Sequence, residues 1–591
     1  MTVASDIEAR RGIALPLPAG AAPVLLCFAA ALALALLRGI PSPEWLVAGL
    51  GNDSAMRLVT VRDLLGGQGW FDPHQARLGP HGTAMHWSRV VDAPMAGLIL
   101  LLEPILGRAG AEHALLVLWP ILMLAGAGAA CASIGRAALG PPAGALAALC
   151  AILVLGPHTR YGSGDIDHHS LQLLLLLIAL RGAMDGARAW AAAGGLAMAA
   201  SLAVGVESLP LLCAVGVWVA LRWAMLGEAA RAQATRYGIG LAAGLAALFP
   251  LTAPAMAWRG GYCDALSVDL VAPVLAGALL LAGLAARASQ AGRAYRAAGL
   301  ALGGALIGAG VLLAIPACLS NPYDALHPLL REAWLSTVSE ALGIGAVIDG
   351  RLSIGIGFLF AIGAISVAAA GLSRQRPLAL PALLCALALG MMAYQIRSGL
   401  YVAALAALVL GTLSGHLIGE ARRLRAPRPA SLAILCFALA LPSLWLKAHA
   451  MLPAEASEGP RRARAVCAAP GAWDALAALP QGTVAGGIDL GAAILVATPH
   501  TVLGAPYHRN EAGMLAQMSA AFAPGPAEAR AALEAAGARY VAICAGSAER
   551  RGHASAGRTG FFADLEAGRV PSWLRPVATG GQSDLRVYAL R

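Results

Sequence analysis

Lysine is all but absent from this chain. Lys447 stands alone, so the formal net charge of +10 is carried by arginine. Charge of either sign is scarce as well: only 13% of residues are charged, 59% are hydrophobic, and mean hydropathy is +0.70. A soluble globular domain has about a quarter of its residues charged, so this composition excludes one. Most arginines lie in short loops between apolar runs, where they set topology. That placement argues against the nucleic-acid partner a pI near 9.3 suggests. The ten cysteines contain no CxxC and no metal-type spacing. Most lie inside apolar runs; Cys467 and Cys544 lie in the polar C-terminal part and can pair if it is extracytoplasmic.

What is present is a series of apolar runs, and runs of about 18 or more residues read as membrane-spanning helices. They fall at about 21–37, 113–133, 142–156, 168–182, 187–204, 206–226, 236–253, 270–287, 296–318, 353–372, 377–395, 400–419 and 430–446, about thirteen in all. Residues 1–19 are polar, with Arg10 and Arg11 before the first run and no small-residue cleavage site, which reads as an uncleaved anchor. Ala93–Leu106 is apolar but short and carries Glu103 and Pro104, so it is expected as an interfacial or re-entrant helix. With a cytoplasmic N-terminus, alternate loops should be rich in arginine. They are, at Arg136, at Arg181 and Arg188, at Arg222, Arg231 and Arg236, at Arg287, Arg293 and Arg296, at Arg374 and Arg376, and at Arg422, Arg423, Arg425 and Arg428. The expected domains are therefore a transmembrane part, 1–452, with large outer loops 38–112 and 319–352, and an extracytoplasmic part, 453–591. The second begins with a charged linker (Glu455, Glu458, Arg461, Arg462, Arg464). It then alternates strand-like Thr483–Gly487 and Tyr540–Cys544, helix-like Ala527–Ala536 and strand-like Leu585–Leu590, which predicts a small α/β domain on the membrane surface.

Tyr161–Gln172, YGSGDIDHHSLQ, packs Asp165, Asp167, His168 and His169 into a polar gap between two apolar runs. Charges at a bilayer edge are costly. Carboxylate plus imidazole at this density suits a divalent metal; a solvated helix end is the other reading. The topology puts this gap on the outer face with three further groups. Asn52-Asp53 follows the first span, as a turn or as a facing carboxylate. His74, His81, His86, Trp87 and Arg89 form a surface loop or a substrate rim. Glu340, in Ser336–Gly343, is a solvated glutamate or a carboxylate on a mobile lid. Arg397 interrupts apolar sequence near the outer end of a span, snorkelling to headgroups or binding phosphate with its fork. Glu207 is a helix-end group or a site carboxylate. A metal beside a membrane-embedded arginine fits a lipid-linked phosphate or diphosphate.

In order and spacing these motifs resemble the catalytic subunit of oligosaccharyltransferase, within the GT-C membrane glycosyltransferases. Asn52-Asp53 is similar to the family's first-loop acidic motif, and MRLVTVRDLL with WFDP and GPHG to its continuation. Gly164–His169 resembles the second motif, in a register that makes Asp167 and His169 metal ligands and Asp165 and His168 supporting groups. Thr337–Glu340 is similar to the fifth-loop motif, whose glutamate meets acceptor and metal, and Arg397, followed by Tyr401, to the arginine that holds the donor diphosphate. The resemblance covers nearly the whole chain. It implies a GT-C fold and a metal-dependent inverting glycosyltransferase of a bacterial-type inner membrane, with a polyprenyl-phosphate or -diphosphate donor. Asp53, Asp167 and His169 would hold Mn2+ or Mg2+, Asp53, Asp167 and Glu340 would be catalytic, and a glycan, lipid or protein would accept.

One motif departs. Where the family carries Trp-Trp-Asp-Tyr-Gly to read the acceptor's Ser or Thr, this chain has Gly486-Gly487-Ile488-Asp489-Leu490-Gly491. Asp489 survives and the aromatics do not, so the acceptor is expected not to be an N-X-Ser/Thr sequon. Tyr507, His508, Arg509 and Asn510 shape a different acceptor rim or are ordinary loop residues. The competing class is a transporter or flippase of lipid-linked glycans, which predicts repeated halves with matched broken helices; the sequence shows neither.

Overall fold

A helix underlies each predicted apolar run in the computed structural model, which describes residues 21–184, 186, 188–320, 323–349, 356–450, 467, 469–579 and 584–591. Arg10, Arg11, Arg351 and the charged linker of Glu455, Glu458, Arg461, Arg462 and Arg464 lie outside the described residues. Among those described, seven helices are long and apolar enough to cross a membrane, and six shorter apolar helices accompany them in the same part of the chain. Arg89–Leu139 is two helices meeting at Gly107, where the backbone turns out of helical geometry (φ 68°, ψ 169°). The first of the two contains the predicted short segment Ala93–Leu106. It leaves Leu100, Leu101, Ile105 and Leu106 exposed.

The bundle centres on Gly399–Leu424, whose residues Gly399 to Gly415 are buried without a break. Small residues let its neighbour Pro141–Leu155 come close, the usual device where lipid removes the hydrophobic drive between helices. At Gly415 a Cβ would meet the Pro142 carbonyl oxygen at 2.2 Å, so a side chain there would push the two helices apart. Two further helices, Val268–Ala288 and Arg293–Ala314, form a peripheral hairpin. A Cys263–Cys318 disulfide, which no sequence signal announced, ties its two ends together.

The first outer segment is organised by charge. Asp92 is buried between Arg57 (2.7 Å) and Arg89 (3.0 Å), with all three side chains at most 7% exposed. Arg57 also lies 4.2 Å over the Trp87 ring. Strands β1 (His74–Gln75) and β2 (Thr83–Ala84) close a small hairpin between Asn52–Leu65 and this ion cluster.

The C-terminal part is built on a five-stranded mixed sheet of β3 (Thr483–Gly486), β4 (Thr501–Val502), β5 (Ala538–Cys544), β6 (Leu574–Val577) and β7 (Leu585–Leu590), in the order β4-β3-β5-β7-β6. β3 runs parallel to β4 and β5; β7 runs antiparallel to β5 and β6. The three predicted strands and the predicted helix, Pro526–Ala535, are present. β4 and β6 escaped the sequence because one is two residues long and the other carries Pro576. Cys467 and Cys544 are bonded across 77 residues.

The sheet does not stand clear of the membrane part. Val502 pairs with Leu78 of the first outer loop, extending β4 by one bridge. Leu326, Leu330 and Trp334 of the long outer loop share a core with Ile488, Met514 and Met518. By loop-closure entropy a bridge across 77 residues contributes about 4 kcal/mol. Cys544→Ser is therefore expected to lower the thermal midpoint of the C-terminal domain by several degrees, read by the intrinsic fluorescence of Trp473 and Trp573. Asp92→Asn leaves two buried guanidiniums half-compensated, and is expected to cost about 3–5 kcal/mol, read as loss of folded protein in detergent.

Candidate active site

Between the helices Pro141–Leu155 and His169–Ala183 the chain makes a tight polar turn. His158 caps a short 3-10 turn, Thr159–Tyr161, by accepting from the Arg160 amide. Asp165 folds back to accept from the Asp167 amide at 3.2 Å, a side-chain-to-backbone turn typical of aspartate. Ile166 is fully buried, and its amide donates to Ser54 Oγ at 3.1 Å. That one bond brings the GDIDHH turn against the start of Asn52–Leu65, where Asp53 lies.

Asp167 is the electrostatic centre, with a side chain 1% exposed. Arg160 Nη1 donates to it at 2.6 Å, His168 Nδ1 lies 2.6 Å from its other oxygen, and His169 Nε2 lies at 3.4 Å. Burial alone would raise this carboxyl, but the two imidazoles and Arg160 hold it well below its ordinary value. His168 runs on to Glu207 at 3.2 Å, which also accepts from Gln172 at 2.8 Å. Asp53 and Asp165 go the other way from Asp167: burial and then its charge raise each to about 7.

Arg160 is the residue the sequence reading missed. Its second nitrogen holds Glu340 at 2.6 Å, so one guanidinium joins the GDIDHH turn to the long outer loop. The signal was present, an arginine seven residues before Asp167, but it looked like any basic loop residue.

Asp53, His168, His169, Glu207, Glu340, Arg397 and Tyr401 line one cavity of about 540 Å³. Arg397 projects from the break between Ala379–Tyr394 and Gly399–Leu424. It donates to the Tyr323 hydroxyl at 2.7 Å, while its Nε is buried and makes no hydrogen bond. A buried donor left unpaired on an arginine that lines a cavity can take an anion. Carboxylate and imidazole donors of Asp167, His168 and His169 converge within 4.8 Å of one another, a donor set that fits a divalent ion. Asp53 shares the cavity without belonging to that group.

The expected rim residues divide. His86, Tyr507 and His508 line the cavity. Burial, and then the neighbouring His508, lower the His86 pKa to about 3, so its imidazole is neutral. Arg89 corrects the sequence reading: it is 6% exposed and is spent on Asp92, the Gln68 side chain and the Thr60 and Asp72 carbonyls. Asp489 lies on a small pocket of the C-terminal domain with Glu549, and its side chain hydrogen-bonds Asn52, the neighbour of Asp53. Arg509 grips Asp264 with two nitrogens, at 2.8 and 2.6 Å, behind the cavity wall. Asp264 was not picked out in the sequence.

The sequence matches no protein-family model and no curated protein. Solved structures do resemble it. The archaeal oligosaccharyltransferase AglB from Archaeoglobus fulgidus, in complex with an inhibitory peptide and a dolichol-phosphate, superposes with a TM-score of 0.61 at 13% identity over 89% of this chain and 69% of that one. The A. fulgidus enzyme tethered to an acceptor peptide containing the NVT sequon gives 0.59 at 14% identity, over 88% and 68%. Its complex with Zn and sulfate gives 0.57 at 13% identity, over 88% and 67%. At these identities the likeness is one of fold: the chain has the oligosaccharyltransferase-like GT-C architecture.

The Arg160 contact to Glu340 is half exposed on the glutamate side (48%) and is worth about 1 kcal/mol or less. Glu340→Gln, which leaves the Arg160–Asp167 contact in place, is therefore expected to leave the bundle folded while amide exchange across residues 335–345 rises several-fold. Unchanged exchange there would mean that Glu340 is positioned by other contacts.

Proposed function

On that fold we propose a metal-dependent, inverting glycosyltransferase that moves a glycan from a polyprenyl-phosphate or -diphosphate to an acceptor on the outer face of a bacterial-type inner membrane. The observation that carries this reading is the cavity in which Arg397, with an unpaired buried Nε, faces Asp53, His169 and Glu340. Thirteen spans with a cytoplasmic N-terminus and a periplasmic C-terminal domain follow from the arginine alternation, and place that cavity at the outer headgroup level.

The chemistry needs three things from the chain. The guanidinium of Arg397 holds the donor phosphate in its fork and stays with it as the sugar–oxygen bond breaks and negative charge grows on the leaving phosphate. Glu340, on its loop, orients the acceptor on the sugar face opposite the phosphate, so that the new bond forms with inversion at the anomeric carbon. Asp53, Asp167 and His169 are the residues that would hold Mn2+ or Mg2+, which supplies Lewis-acid neutralisation of phosphate charge when bound. Arg160 keeps Asp167 ionised and aimed.

The acceptor is proposed not to be an N-X-Ser/Thr sequon. At Gly487 a Cβ would meet Glu549 Oε2 at 2.6 Å, and the same carboxylate accepts from the Ile488 and Asp489 amides. The place where the resembled family carries bulky aromatics is closed here by a glutamate. A glycan, lipid or other protein group fits the cavity instead.

Comparison of lipid-linked and envelope glycans with and without the gene identifies the product. In membranes carrying that product, Arg397→Ala is expected to reduce transfer on the order of a hundredfold or more. Chelation should abolish transfer and Mn2+ or Mg2+ restore it. Full transfer by Arg397→Ala at normal expression overturns the reading.

A further inference from the structure

We propose that His86, Asp264 and His508, which line the same cavity as His168 and His169, form a second metal site for a borderline transition ion such as Zn2+. The three come from separate segments: the first outer loop, the loop before Val268–Ala288, and the C-terminal domain. Each offers a ligand atom, and the three atoms lie within 4.8 Å of one another. All three residues line the 540 Å³ cavity. The His86 and His508 rings lie 4.9 Å apart, and His508 Nε2 is 2.7 Å from Asp264 Oδ2.

Two features point to a missing partner. The Nδ1 of His86 is buried and makes no hydrogen bond, and a buried imidazole nitrogen without a partner calls for an ion or a water. Asp264 is also held harder than a loop aspartate needs to be. Its neighbour Cys263 is bonded to Cys318, and Arg509 fixes both carboxylate oxygens from behind. A carboxylate has about four lone-pair directions. Arg509 takes two and the His508 N–H a third, so an ion can replace that N–H, releasing one proton, and still find a carboxylate lone pair. Ligand atoms around tetrahedral zinc stand about 3.3 Å apart, so binding requires Asp264 and His508 to part by roughly half an ångström.

The donor set decides the ion. Two imidazoles with one carboxylate favour zinc or cobalt over magnesium. Three protein ligands leave a fourth position, as in zinc sites that bind a water or a substrate oxygen. That position faces the cavity, where an acceptor oxygen would enter. The site does not depend on the transfer reaction for its existence, and its test does not measure transfer.

Full-length protein in detergent, stripped of metal, is titrated with Co2+ and its visible absorption recorded. Two equivalents are expected, one giving the intense bands of a four-coordinate nitrogen-rich site. His86→Gln and His508→Gln should each remove that band and one equivalent, with thermal unfolding confirming that each variant is folded; Asp167→Asn should remove the other equivalent and keep the band. The wild-type spectrum tests the proposal without any variant. A wild type with no such band, or a band and stoichiometry intact in both histidine variants, overturns it; a single equivalent lost in the histidine variants but kept in Asp167→Asn supports this site and overturns the other.

Discussion

A carboxylate at 1% exposure must be compensated, and Asp167 sets the terms for everything around it. Stripping an ion of water costs several kcal/mol even after relaxation. The GDIDHH turn answers with two imidazoles and Arg160. Two of those run on to a further carboxylate: Arg160 finds Glu340 on the long loop, and His168 finds Glu207 between two further helices. Three outer segments are thus recruited by a single buried charge. The cavity is the space they leave.

The C-terminal domain completes the wall by the same logic of satisfaction, through four consecutive residues. The Tyr507 hydroxyl donates to the Asn52 carbonyl, beside Asp53. His508 and Arg509 take Asp264, and Asn510 meets Thr83. Behind them Arg62 reaches the Val496 carbonyl and Arg77 that of Thr498. A domain docked at this many points behaves as part of the site, not as a tethered neighbour, and its placement fixes the backbone from which Asp53 projects.

Periodicity is local, and what it reports was legible. Apolar runs gave the helices, and arginine spacing gave a consistent alternation of loops. The crowded polar gap stood out because it sets two carboxylates and two imidazoles within five residues between two spans. Partners distant in sequence were not legible. Arg89 near Trp87 reads as a rim, yet it neutralises Asp92 from inside. Asp264, the Cys263–Cys318 bond and the reach of Arg160 to Glu340, 180 residues away, leave no trace in spacing. Where the sequence did carry long-range information, as with Cys467 and Cys544, it came from shared composition: both lie in the polar part.

Tyr507 and Asn52 are 455 positions apart, and Arg62 and Val496 are 434 apart. Domains fold in the order in which they are made, N-terminal parts first. The loop after the first helix is therefore synthesised long before the strand edge and the tyrosine that cover it exist. During that interval Leu78 has no β-partner in Val502, and the polar helix start at Asn52 faces open solvent. Closing so long a loop adds only logarithmically to the entropic cost, so the delay is one of time and not of free energy. The nascent outer loops must be kept from wrong pairing until the last quarter of the chain arrives, which makes the maturation of this protein, more than its final stability, the step most exposed to failure.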